Sequence, residues 1–222
     1  MPSSVDKVYI ANLALSRVSA RSQITALTDN TREAKLCNLH YDQSVEDALE
    51  EGDFSWARRR ATLASATLTT YPNGVNVSAT EKGPWAYGYR LPSDVLIPLW
   101  IDDGLQQRAH DMRIPWSIEL LDGIEVLYTD QESAVLVYTA RITDTSLFSR
   151  KFASLVAWKL AKEIAMPLTG KSALADRAEK MSMAALDDAI AHDYQRDQEP
   201  DIPDPDWIRA RGSALSVPYL NE

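Results

Sequence analysis

Phe148-Ser-Arg-Lys-Phe152-Ala-Ser-Leu155-Val-Ala-Trp158-Lys-Leu160-Ala-Lys-Glu-Ile164-Ala-Met166, then Pro167-Leu-Thr-Gly170, then a fresh start at Ser172: the rest of the chain is placed relative to this run. Phe148, Phe152, Leu155, Ile164 and Met166 recur with mostly helical spacing, and Trp158 and Leu160 widen the apolar face. That spacing predicts an amphipathic helix with a broad buried stripe. Asp144 is placed to cap it, since a carboxylate accepts the orphan N–H bonds of a first turn. Pro167 disfavours helical geometry at Met166, and Gly170 permits a left-handed residue, so the helix is expected to stop there. Residues 172–198 repeat the pattern through Leu174, Ala178, Met181, Ala185 and Ala189. Two long helices joined by a short turn pack antiparallel.

Working towards the N-terminus, residues 4–19 read as a helix with Ile10, Leu13, Ala14 and Val18 on one face. Ser3 or Ser4 caps it in this reading, with Asp6 in the first turn. Residues 20–30 form a connector pinned to the core by Ile24 and Leu27. Thr31 opens a second helix that runs to Glu51 and ends at Gly52. Ala34, Cys37, Tyr41, Val45 and Ala48 make its buried stripe, and Asp42, Glu46, Asp47, Glu50 and Glu51 lie outside it.

Between the helical pairs the character changes. Asp53-Phe-Ser-Trp56-Ala-Arg58-Arg-Arg60 is aromatic and basic. From residue 61 to 143, strand-type residues and turn signals take over. Residues 95–101 are a dense apolar run. Residues 117–121 and 124–128 flank Asp122-Gly123, the signature of a tight hairpin. Residues 134–140 form a further strand. Residues 71–85, with Pro72, Gly74, Gly83 and Pro84, read as a loop. The expected fold class is therefore α+β, mainly α. An antiparallel helical bundle (1–60 and 144–198) carries an inserted small antiparallel β module (61–143). The last segment, 199–222, is an extended C-terminal arm: Pro200, Pro203, Pro205 and Pro218 exclude a regular helix.

The 222 residues suit one domain, or one domain with a sizeable insert. A formal net charge of −9 gives no broad attraction to nucleic acid, which argues against a conventional DNA binder. The single cysteine, Cys37, excludes an intrachain disulfide and a cysteine-based zinc cluster. No secretory signal and no membrane-spanning run is visible, so the expectation is a soluble chain made in a cytoplasm.

No catalytic signature stands out. Glycine-rich phosphate loops are absent, and His40, His110 and His192 form no zinc-type pair. Cys37 sits on an apolar stripe and reads as a small hydrophobe. Glu119 and Glu125, facing each other across the expected hairpin, would be the carboxylates of a glycosidase; a solvated sheet pair is the plainer reading. Asp102, Asp103 and Asp111 match no calcium loop. Arg58, Arg59 and Arg60 beside Phe54 and Trp56 suggest either a nucleic-acid patch or, better, arginines paired with acidic groups on neighbouring helices or another subunit. The expectation is no enzyme, no cofactor and no metal.

The order of segments carries more than their composition. Ile10-Ala-Asn12-Leu13-Ala14-Leu15-Ser16-Arg17-Val18 resembles the opening helix of the tail tubular protein A family, the head-to-tail adaptors (connectors) of short-tailed bacteriophages. Ala34, Cys37 and Tyr41-Asp42 are similar to its second helix, and Trp56-Ala57-Arg58-Arg59 to the segment after that helix. Tyr89-Arg90-Leu91-Pro92-Ser93-Asp94 resembles its lead-in to the sheet. Thr143-Asp144, Phe148, Phe152 and Leu168-Thr169-Gly170 resemble its helical hairpin. Trp207-Ile208-Arg209-Ala210-Arg211 is similar to its C-terminal signature.

The resemblance implies a virion protein of the phage tail or neck, assembled in the host cytoplasm. It implies a dodecameric ring of identical copies docked beneath the portal protein, holding the downstream tail or nozzle protein. Genome DNA would pass through the bore without sequence-specific contact, and no membrane would be involved. Trp207, Ile208, Arg209, Arg211, Leu215, Val217, Tyr219 and Leu220 are then the candidates for binding the portal or an adjacent subunit. Glu46, Asp47, Glu50 and Glu51 are the acidic candidates for lining the channel. Rival expectations are a tail-associated cell-wall glycosidase and a cytoplasmic interaction module outside any virion.

Overall fold

The computed structural model of the chain describes residues 5–18, 23–64, 85–102, 114–121 and 123–196. Among these, the fold is α+β: four α-helices and two three-stranded antiparallel sheets. The helices are α1 (Lys7–Arg17), α2 (Arg32–Glu51), α3 (Arg150–Thr169) and α4 (Ser172–Tyr194). The strands are β1 (Arg58–Thr62), β2 (Tyr87–Arg90), β3 (Val95–Asp102), β4 (Trp116–Leu121), β5 (Ile124–Thr129) and β6 (Val135–Ala140). The arm and the 71–84 part of the expected loop lie outside the described residues.

Helix α3 is the organising element, as its sequence suggests. It packs against α1, α2 and α4, and Phe152, Leu155, Val156, Leu160 and Ile164 are fully buried on it. The return of α4 along α3 is marked by two ion pairs, Lys151–Asp188 at 2.8 Å and Lys162–Glu179 at 3.0 Å.

Several sequence expectations are corrected here. The cap of α3 is Ser149, whose hydroxyl accepts from the Phe152 nitrogen; Asp144 instead caps the 3-10 turn Thr145–Leu147. A carboxylate near a helix start caps whichever turn comes first. Pro167 does not stop α3, which runs on to Thr169. Proline removes only one hydrogen bond so close to the end. The stop is Gly170, at φ +68°, where its N–H reaches the Met166 carbonyl. Met166 and Met181 are exposed rather than core. The buried line of α4 runs instead through Ala178, Ser182, Ala189 and Asp193, because the two polar residues find backbone partners. In α1 the cap is Asp6, not a serine: its carboxylate accepts from the Tyr9 nitrogen.

In place of one sheet there are two, ordered β1-β6-β3 and β2-β5-β4. The central strands β5 and β6 are the most buried. β1 begins within the basic run, where no apolar alternation announces a strand; it forms because its backbone pairs with β6 from Arg58↔Thr139 to Thr62↔Val135. β3 accommodates Pro98 beside a register shift. The two-residue turn after β4 is as expected, with Gly123 at φ +79°.

Both passages between helices and sheets converge on one aromatic cluster. Phe54 and Trp56 precede β1; Phe148 and Phe152 follow β6. Phe152 meets Phe54 edge-on at 5.1 Å, Trp56 at 5.0 Å and Phe148 at 4.8 Å. Such edge-to-face contacts add to the burial of large apolar area. A single hydrophobic cluster runs from the helices into both sheets.

Candidate functional site

Several described residues of the segments quoted above hold the architecture. Asn12, on α1, uses its side-chain amide like a strand partner: it donates to the Ile24 carbonyl and accepts from the Ile24 nitrogen, both at 2.9 Å. That fixes the connector, with Ile24 buried as expected. Arg17 donates to the Ser154 carbonyl and hydroxyl at 2.8 and 2.7 Å and stacks over the Trp158 ring at 4.0 Å. Burial holds its guanidinium down at about 10. Asp94 accepts from Arg59 at 2.7 Å and from the Tyr138 hydroxyl at 3.0 Å, and Tyr89 donates to the Gln131 carbonyl at 2.8 Å.

The arginine run is fully engaged. Arg58 pairs with Asp53, Arg59 with Asp94 and Arg60 with Asp102, at 2.7 to 2.8 Å. The partners sit on connecting segments and on β3 rather than on helices. Cys37 is fully buried, and loss of hydration pushes its thiol up to about 11, which leaves it inert. The Glu119–Glu125 pairing is corrected. The register sets Glu119 opposite Val126 and Glu125 opposite Leu120, so the two carboxylates leave opposite faces of the hairpin. They cannot flank one glycosidic bond. Among the described residues, no group of His, Cys, Asp and Glu is arranged to hold a metal ion, and no helix is long and apolar enough to cross a membrane. His110, Asp103 and Asp111 lie outside the described residues, as do Trp207, Ile208, Arg209, Arg211, Leu215, Val217, Tyr219 and Leu220.

The four acidic candidates on α2 divide. Glu46 pairs with Arg141 at 2.8 Å, and Glu51 with Lys159 at 2.7 Å. Glu50 is exposed. Asp47 faces a cleft of about 110 Å³ between α2, α3 and α4, shared with Glu51, Lys159, Lys162, Glu163 and Glu179. The Lys162 ammonium is raised by its hydrogen bond to Glu179. Both lysines are thus committed to carboxylates, and the lining retains an acidic excess. The sequence signal for this cleft is Lys159 inside the apolar run of α3, continued one turn on by Lys162 and Glu163.

No protein-family model and no curated protein matches this chain.

Proposed function

We propose that this chain is a structural head-to-tail adaptor of a short-tailed phage, forming a homo-oligomeric ring between portal and tail. In this reading the four helices are an antiparallel bundle that builds the ring. The sheets are an inserted module facing the downstream tail, and residues 199–222 are the arm that engages the portal or an adjacent subunit. The observation that carries the reading is the ordered resemblance across the chain. It is supported by what the matched residues do: Asn12, Arg17, Asp94 and Gly170 brace a scaffold.

DNA that must slide through a bore is held back by each phosphate contact. The engagement of Arg58, Arg59 and Arg60 within the chain fits that demand. So does the acidic face of α2, with Glu50 exposed on it. The enzyme alternative in its glycosidase form has lost its carboxylate pair. Electron microscopy of the purified protein mixed with portal rings tests the proposal. A ring added beneath the portal is the expected outcome. Portal rings that remain bare at saturating protein overturn it.

A further inference from the structure

Met183 and Tyr194 stand 61% and 71% exposed on α4. Their spacing is about three helical turns, so they share one face. Met183 also borders the cleft between α2, α3 and α4. Within that cleft Glu51 and Glu179 have their lysines, whereas Asp47 and Glu163, both half-buried, have no ion pair among the described residues. An exposed thioether bordering a cleft with four carboxylates against two lysines, and an exposed phenol farther along the same face, complement an aromatic anchor followed by a cation. The chain carries that order in Trp207-Ile208-Arg209-Ala210-Arg211.

We infer that the α4 face bearing Met183 and Tyr194, with Asp47 and Glu163 beside it, is the docking surface for the Trp207-to-Arg211 segment of an adjacent copy. The inference rests on the adaptor reading in taking the arm to act between copies. Reach does not choose the source: Met183 lies about 20 Å back along α4 from Arg196, and residues 197–206 span up to about 33 Å. Charge does choose. Asp197, Glu199, Asp201, Asp204 and Asp206 precede Trp207, and the stretch of α4 between Met183 and Arg196 exposes Asp187, and Asp188 paired with Lys151. Lying back along its own α4 would set these like charges side by side. Pro200, Pro203 and Pro205 favour an extended path over the sharp reversal that route needs. An outward path to a neighbour avoids both costs.

The test uses full-length protein at high concentration, a short bismaleimide, and the substitutions Met183→Cys and Arg209→Cys. Cys37 is fully buried and does not compete. The two single variants mixed together should give a crosslinked dimer, and the double variant a ladder of multiples. Adding Asp47→Asn with Glu163→Gln should slow crosslinking at least about tenfold, as loss of a charged contact implies. No crosslink, a double variant that closes only within one chain, or an unchanged rate without the two carboxylates would overturn the inference. The reaction is read without portal. A protein that crosslinks but never binds portal therefore retires the adaptor reading alone, and one that binds portal without crosslinking retires this surface alone.

Discussion

The Asp193 carboxylate accepts a hydrogen bond from the Ser55 backbone nitrogen at 2.6 Å. Asp193 is buried in the last turn of α4, and Ser55 opens the 3-10 turn that leads into β1. The end of one helix thus caps the first passage from helices to sheets. Asp193→Ala strands that N–H and is expected to lower stability by about 2 kcal/mol. Asp193→Asn, which keeps an acceptor, should cost less. Thermal melts of the three proteins check the order.

Gly52 ends α2 under the ring of Phe54. A methyl group added at Gly52 would overlap the Phe54 Cε2 and Cζ atoms. That ring is held at 1% exposure against Phe152 and has nowhere to retreat. Gly52→Ala is therefore expected to cost about 1–3 kcal/mol through overpacking. Gly52→Ala combined with Phe54→Leu should be less destabilised than the sum of the single changes. A double-mutant cycle in denaturant measures that coupling.

Arg17 fastens α1 to α3 through a planar fork on Ser154 and a stack on Trp158. Lysine matches neither geometry. Arg17→Lys is expected to lose most of what Arg17→Ala loses, on the order of 1–3 kcal/mol. Equal stability of the lysine variant and the native chain would show that charge alone suffices.

Alkaline pH should loosen the fold. Burial raises Cys37 from 9.0 to about 11, with the Glu33 carboxylate adding to it. The Tyr41 phenol is raised by the same cause, reinforced by Asp42 and Asp6. In the folded chain both keep protons that the unfolded chain releases. Their contribution is complete below the unfolded values and is lost as pH rises through the folded ones. For Cys37 that window opens near pH 9 and closes near pH 11. Its share is at most about 3 kcal/mol. Denaturant melts across this range should show the decline, and Cys37→Ala should flatten it.

The arm carries the prediction closest to function. Truncation after Glu199 should leave the melt of the helices and sheets in place and abolish the assembly of a ring beneath the portal. Trp207→Ala should weaken docking by roughly 2 kcal/mol if Trp207 is the anchor. Light scattering of the free protein should show a monomer or small oligomer, because ordering such a segment needs a partner's surface. A truncated protein that docks normally removes the arm from the mechanism.

Legibility in the sequence followed how many local signals agreed. For α2, cap, stripe and stop coincided, and Thr31, Ala34 through Ala48, and Gly52 fall as read. At the start of α3 the sequence reading took Asp144 as the cap and passed over Ser149, which stands directly before the helix. The buried line of α4 escaped because Ser182 and Asp193 are polar; their partners, the Glu179 carbonyl and the Ser55 nitrogen, come from folding. β1 escaped because Arg58-Arg-Arg-Ala-Thr62 has strand form only through pairing with β6. The cleft was not read from the sequence, where its one signal is a lysine set among apolar neighbours. Its carboxylates come from three helices, and only packing unites them.

Ala153, Ala157, Ala161 and Ala165 lie four residues apart on α3 and are buried to 1% exposure or less. They form one ridge of a helix that has neighbours on three sides. Such a ridge sets how near the surrounding helices can stand. A change to any larger side chain would push apart the elements that pack on α3. Surface positions on α2 and α4 can drift freely by comparison. Divergence among relatives should therefore leave these four small residues in place long after the charged faces have become unrecognisable.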